Sequence, residues 1–181
     1  MHTHSEVRRP SGEEAVTTTM SQQVNTRLVT GRRPVRYALF RDLIGDVHRL
    51  SALPHRQLGN WSLGQIVDHL QRALLLQVES TPVAIPFWER IAARLAKRRL
   101  LSRSLKAGCL PPMALREQLA PRDGVEVAAA VRELEQAIAR CRDAQSTQPH
   151  PLLGRISRAE WEQYHLRHAE LHMSFLVTRR A

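Results

Sequence analysis

Three histidines lie near the C-terminal end of the sequence, in the stretch YHLRHAELHMSFL, as His165, His168 and His172. At about 100° per residue of an α-helix, their side chains point within about 60° of one another. Trp161 and Phe175 lie on or beside the same stripe, which places the histidines on the face expected to be buried. A buried polar group without a hydrogen-bond partner costs roughly 1 to 3 kcal/mol. Three imidazoles on one stripe therefore favour a bound metal ion.

His168 and His172 are the natural ligand pair, because residues four apart on a helix have Cβ atoms about 6 Å from each other. The sequence HAELH is not the HExxH motif of zinc proteases, which needs its glutamate directly after the first histidine. Glu170 lies two residues after His168, about 200° round the helix. We therefore expect Glu170 to be a solvated surface carboxylate rather than a catalytic base.

A metal site with open positions usually takes a third protein ligand, and His69 is the strongest candidate. It lies beside Ile66 and Ala73 on the apolar side of another predicted helix. From the helix pattern alone, His69 is more often a hydrogen-bonded core histidine than a ligand. His165 also keeps two interpretations. It could contact the ligands or the substrate, or it could lie at the margin of the fold beside Tyr164.

Hydrophobic periodicity and capping signals predict four helices that would carry these residues. The second and fourth begin at capping boxes, Ser62 to Gln65 and Ser157 to Glu160. We predict helices over about 35–50, 63–79, 127–141 and 158–177, with an arginine-rich amphipathic segment at 87–106. The sequence thus predicts an all-α protein, an antiparallel four-helix bundle with an additional basic helical segment between helices two and three.

Composition limits the classes of function. Of 181 residues, 43% are hydrophobic, and no apolar run approaches the ~20 residues that span a bilayer. Residues 1–30 are polar, without helical periodicity and without a signal-peptide core, so we expect a disordered tail, one domain over 31–181 and a cytoplasmic location. Cys109 and Cys141 suggest neither a disulfide framework nor a thiolate zinc site. The net charge is +10, but the arginines are spread along the chain, and no nucleic-acid partner is expected.

Several stretches resemble the DinB/YfiT-like superfamily of metalloenzymes, and within it a branch of domains of unknown function. They are NWSLGQIVDHL at 60–70, HPLLG at 150–154, Trp161, and RHAELH at 167–172. The likeness runs from about Thr30 to Val177. Members are four-helix bundles with one metal-binding histidine on the second helix and an HxxxH pair on the last. The resemblance implies that His69, His168 and His172 bind a divalent metal ion, zinc or nickel.

Characterised relatives in that superfamily include S-transferases and isomerases that use low-molecular-weight bacterial thiols. The resemblance therefore implies a metal-dependent enzyme for a small-molecule substrate, with thiol transfer or hydrolysis as its reaction. No residue stands out as a general base, so catalytic residues beyond the metal ligands stay unassigned. The alternative is a non-catalytic bundle that binds metal or a partner, and a homodimer is compatible with either.

A further alternative concerns the basic segment 87–106, in which seven Lys and Arg residues stand against Glu89 alone. With Phe87, Ile91 and Leu95 behind the arginines, the segment has the composition of an anionic-surface binder. The favoured interpretation is that it packs over the mouth of the bundle with its charges in water. There the arginines, among them Arg94 and Arg98, would form an electropositive rim that attracts an anionic substrate.

Overall fold

The computed structural model describes residues 23–79, 83–108 and 110–178. The predicted all-α class is confirmed, because most of the described chain is helical and its strands form one small sheet. The elements in chain order are α1 (Phe40–Ala52), β1 (His55–Gln57), α2 (Leu63–Leu75), α3 (Phe87–Leu95), α4 (Lys97–Ser102), α5 (Met113–Gln118), α6 (Val127–Asp143), α7 (Arg158–Met173) and β2 (Leu176–Thr178).

The four long predicted helices are α1, α2, α6 and α7, and both predicted capping boxes are present. The backbone N–H of Gln65 donates to Ser62 Oγ over 3.3 Å, and the N–H of Ser62 donates to Gln65 Oε1 over 3.0 Å. Ser157 and Glu160 make the same reciprocal pair at 3.2 and 2.9 Å. These bonds satisfy N–H groups that the first turn of a helix leaves without partners, so α2 and α7 begin at the predicted residues.

One hydrophobic core lies between α1, α2, α6 and α7, and its fully buried members include Val47, Val67, Leu134 and Met173. The packing of α6 on α2 is close. A Cβ atom at Gly64 would overlap the carbonyl oxygen of Val125, two residues before α6. The core therefore fixes α2 and α7, the two helices that carry the candidate ligands.

Cys141 lies at a buried position of α6, and its thiol donates to the carbonyl of Leu74 over 3.3 Å. Burial raises the pKa of this thiol to about 11. Cys109 and most of the predicted tail lie outside the described residues. Val24, in the predicted tail, bonds through its backbone to the side chain of Asn60.

The prediction that the last helix continues to residue 177 is wrong, because α7 ends at Met173. The chain then turns, and β2 pairs with β1 in antiparallel register, Arg56 opposite Val177. No glycine or proline marks this end in the sequence. The helix ends because distant backbone takes up the polar groups beyond it. The carbonyl of Ser174 accepts from the N–H of Arg33, and that of Phe175 accepts from the N–H of Leu58.

The basic segment forms two helices, α3 and α4, that join at Ala96. One side packs on the body of the protein, where Ala93, Leu100 and Leu101 contact a small cluster that contains Trp161. Neither helix contains a buried residue, and the large apolar side chains of α3 are exposed. The segment therefore packs on the body through one side, and Phe87, Ile91 and Leu95 lie on the exposed side. No helix of the described residues is both long and apolar enough to span a membrane, as predicted.

Candidate metal centre

The side chains of His69 on α2 and of His168 and His172 on α7 meet at one point. One ring nitrogen from each lies within 4.8 Å of the other two. His168 Nε2 is 3.1 Å from His69 Nε2 and 3.0 Å from His172 Nε2. The structure thus brings the three predicted ligands together, although their positions in the sequence are up to 103 residues apart.

The nitrogens of this cluster cannot all be satisfied by hydrogen bonds within it. His69 Nδ1 lies 2.6 Å from the carbonyl oxygen of Leu119. A carbonyl only accepts, so Nδ1 carries the proton and His69 Nε2 presents a lone pair. His168 Nε2 has two imidazole neighbours and at most one proton or one lone pair, and it can satisfy only one of them. A second contact between lone pairs, or an unmatched proton, is therefore unavoidable without an outside group.

The three imidazoles are held in the neutral form that binds metal ions. Burial lowers the pKa of His69 below its ordinary value. Burial and the neighbouring imidazoles of His172 and His69 hold the pKa of His168 well below its ordinary value, and burial and His69 do the same for His172. At neutral pH each ring therefore offers a lone pair rather than a positive charge.

The spacing of the nitrogens fits a divalent ion. With Zn–N bonds of about 2.0 to 2.1 Å and tetrahedral angles, two ligand nitrogens are about 3.3 Å apart, close to the observed 3.0 and 3.1 Å. Imidazole suits zinc, nickel, copper and iron. His168 and His172 are half-buried residues. Three protein ligands at a partly exposed position leave room for a further ligand from solvent.

The orientation of His69 depends on the segment 118–122, which is tied to α2 on both sides of the Leu119 carbonyl. Asp68, fully buried, accepts from the backbone N–H of Arg122 over 2.9 Å and from its guanidinium over 2.9 and 2.6 Å. Arg72 donates to the carbonyl of Gln118 over 3.0 Å. Sequence reasoning missed this arrangement. The sequence feature that could have indicated it is Asp68, an acidic residue directly before the candidate ligand His69 on the apolar side of a helix.

Trp61 lies against two of the three candidate ligands. Its ring stacks on His172 with centroids 5.2 Å apart and an angle of 22°, and it lies 4.7 Å from His69. The sequence predicts a core aromatic at this position and does not indicate the contact with the ligands. Trp161, predicted in the same way, is fully buried in the core.

His165 lies outside the cluster of His69, His168 and His172. It is buried rather than marginal, and its ring stacks on Trp161 with centroids 5.1 Å apart and an angle of 17°. The ring of His150 also contacts Trp161, with centroids 4.7 Å apart. Its Nδ1 accepts from the backbone N–H groups of Leu152 and Leu153, both at 3.1 Å. Burial lowers the pKa of both histidines to about 3. His165 Nε2 has no hydrogen-bond partner among the described residues.

The prediction that Glu170 is a solvated surface carboxylate is wrong, because its side chain is only 1% exposed. Its oxygens accept from the backbone N–H of Tyr37 over 2.8 Å and from Ser104 Oγ over 2.6 Å, and Arg167 forms an ion pair with it at 3.0 Å. The angle round α7 is as expected. The chain segments before α1 and after α4 cover that side, which the pattern of one helix does not reveal.

Comparison with known proteins identifies one family. The sequence model of DUF1569, described as a protein of unknown function, matches residues 29–179. No curated protein and no solved structure matches the chain.

Proposed function

The chain belongs to the DUF1569 family, and we propose that this protein is a divalent-metal-dependent enzyme that binds its ion through His69, His168 and His172. The observation that carries the proposal is the short contact of His168 Nε2 with both other imidazoles. An ion placed between the three lone pairs would remove a conflict that no distribution of protons resolves. Zinc and nickel are the proposed ions, since both accept imidazole nitrogen.

A catalytic rather than purely structural role is supported by the number of ligands and by their exposure. Structural zinc sites are closed by four protein ligands, whereas catalytic sites keep a position for water or substrate. Here three histidines converge, and two of them are half-buried. A bound divalent ion would supply Lewis acidity, which activates a water or thiol nucleophile or polarises a carbonyl.

The proposed contribution of the chain is to hold and orient the ligands. The Leu119 carbonyl keeps the proton of His69 on Nδ1, so that Nε2 faces the centre. The indole of Trp61 shields one side of the ligands from water. The nearby carboxylates of Asp68 and Glu170 are bound by Arg122 and Arg167. We therefore assign no general base to either of them.

For the reaction we propose transfer of a low-molecular-weight thiol to a small electrophile, or hydrolysis. We further propose that α1, α2, α6 and α7 form an antiparallel four-helix bundle of the DinB-like superfamily. Support comes from the common core of these helices and from the distribution of the histidines, one on α2 and a pair four residues apart on α7.

Metal content tests the site. The protein is purified without a polyhistidine tag, stripped with a chelator and titrated with Zn²⁺ and with Ni²⁺. We expect one tight site in the wild type, and its loss in His69→Ala, His168→Ala and His172→Ala. His48→Ala is the matched control, since His48 on α1 is 59% exposed and lies outside the cluster. Absence of metal binding in the wild type, or equal binding in all variants, would overturn the site.

A second experiment separates an enzyme from a non-catalytic bundle. Co²⁺ in place of the natural ion has visible absorption bands that change when an outside ligand joins the coordination sphere. An open site predicts changed bands on addition of azide or a small thiol, and turnover of a thiol with a test electrophile that His168→Ala abolishes. If neither azide nor the thiol changes the absorption bands and no turnover is detected, the non-catalytic metal-binding bundle would be favoured.

A further inference from the structure

Helix α3 presents a row of large apolar side chains to the outside. Phe87, Trp88, Ile91 and Leu95 are 72, 62, 45 and 83% exposed. At about 100° per residue they occupy one sector about 100° wide. Single exposed apolar residues are ordinary, but a contiguous set of this size marks an interaction surface. We call these four residues the α3 apolar face.

The α3 apolar face is held away from the protein's own core. The opposite side of the helix contacts the body through Ala93, and the next helix does so through Leu100 and Leu101. Lys97, at the start of α4, pairs with Glu160 on α7 over 2.7 Å. With one side fixed in this way, the apolar face cannot turn inward without breaking these contacts.

The segment that carries the α3 apolar face is strongly basic. Residues 87–106 contain seven Lys and Arg residues and one acidic residue, Glu89. Arg98 and Arg99 are exposed and form no ion pair within the described residues. Charges left free in this way are available to an anionic partner. The surface thus combines Trp, Phe and Leu side chains with unpaired arginines.

We propose that the α3 apolar face docks this protein on an anionic lipid bilayer surface. Interfacial helices bury Trp, Phe and Leu at the boundary of headgroups and acyl chains, and their Lys and Arg residues contact the lipid phosphates. A second copy of the chain would bring the same excess of positive charge against this one, so its approach is opposed by repulsion. The proposal is independent of the metal centre, which lies on α2 and α7.

Co-sedimentation of the full chain with lipid vesicles tests the proposal. One set contains phosphatidylcholine with about one-third phosphatidylglycerol, and the other contains phosphatidylcholine alone. We expect partitioning onto the anionic vesicles to be about tenfold or more stronger, and to fall at high salt. Failure of the wild type to bind anionic vesicles at low salt would overturn the proposal.

Matched variants test the face itself. Trp88→Ala with Leu95→Ala should lower partitioning about tenfold or more, whereas Leu28→Ala, which removes an apolar side chain that is 75% exposed elsewhere, should leave it unchanged. Arg98→Glu with Arg99→Glu should weaken binding most at low salt. The control for this charge reversal is Arg41→Glu, because the Arg41 side chain on α1 is 82% exposed. Equal losses in variants and controls would show nonspecific binding and contradict the docking surface.

Fluorescence of Trp88 supplies a readout that separates lipid docking from self-association. Trp88 is exposed, whereas Trp161 is buried and Trp61 packs on the ligand histidines. On anionic vesicles the emission should shift to shorter wavelength, and Trp88→Phe should keep the binding and lose the shift. A dimer in solution that the α3 variants dissociate, with no shift on vesicles, would assign the face to a second copy and overturn the proposal.

Discussion

Helix α7 carries two buried polar clusters that differ in how their groups are satisfied. Around Glu170, the Tyr37 N–H and the Ser104 hydroxyl each donate to one carboxylate oxygen, and Arg167 forms an ion pair with the carboxylate. Around His168, less than one turn away, the nitrogens face one another and compete. A carboxylate whose two oxygens both have donors stabilises the fold, whereas a cluster whose nitrogens conflict indicates a binding site for a group from outside. The two clusters should therefore respond in opposite ways to mutation.

The largest expected effect is on metal affinity in His168→Ala. Because His168 lies between the other two ligands, its loss should weaken Zn²⁺ binding by about a thousandfold. The metal-free variant should keep nearly the stability of the metal-free wild type, since the imidazole has an unpartnered Nδ1 there. Calorimetric titration and urea denaturation measure the two quantities. If His168→Ala instead strongly destabilised the metal-free protein and kept its Zn²⁺ affinity, the His168 cluster would be structural like the Glu170 cluster, which would contradict the account.

Glu170→Ala should show the reverse pattern. Removing a buried carboxylate takes the acceptor from the Tyr37 N–H and the ion-pair partner from the buried Arg167 guanidinium, and should cost about 3 kcal/mol in the free energy of unfolding. Metal affinity should change little. Glu135→Ala, at a side chain 48% exposed on α6, is the control and should stay within about 0.5 kcal/mol of the wild type. A stable Glu170→Ala variant would show that this cluster does not hold the segments before α1 and after α4 in place.

Acid should destabilise the metal-free protein through His150, whose pKa burial lowers to about 3. An unfolded histidine takes up its proton near pH 6.5. Below that pH the unfolded state therefore binds more protons than the folded state, and the free energy of unfolding decreases as the pH is lowered. One such group contributes about 1.4 kcal/mol per pH unit down to about pH 3. His150→Asn, which keeps an acceptor for the Leu152 and Leu153 N–H groups, should flatten the profile by that amount. An unchanged slope would show that His150 does not stay neutral in the fold.

The smallest predicted effect concerns the support of His69 from outside the cluster. Asp68→Asn weakens the hold on Arg122, loosens the segment that presents the Leu119 carbonyl, and should lower metal affinity about fivefold. Glu133→Gln is the control, because it removes the other, exposed partner of Arg122, and exposed ion pairs contribute little. Equal metal affinity in Asp68→Asn and wild type would limit the role of Asp68 to stability.

The same contrast explains how much could be predicted from the sequence. Helical spacing and capping boxes predicted the four long helices, and spacing together with the family resemblance predicted which three histidines lie together, because both depend on residues near in sequence or on motifs. The burial of Glu170 depends on Tyr37 and Ser104, which are 133 and 66 residues away. The Leu119 carbonyl and the pairing of β1 with β2 are backbone contacts that side-chain patterns do not encode. The exposure of α3 depends on which side of the helix meets Trp161.

X-ray absorption spectroscopy of the metal-loaded, untagged wild type tests the central claim most directly. The predicted coordination is three imidazole nitrogens at about 2.0 to 2.1 Å for zinc, with at least one further ligand from solvent. In His168→Ala this pattern should be absent, and in His48→Ala it should be unchanged. A bound ion with fewer than two imidazole ligands in the wild type, or the same spectrum in His168→Ala, would contradict the assignment of His69, His168 and His172 as the metal centre.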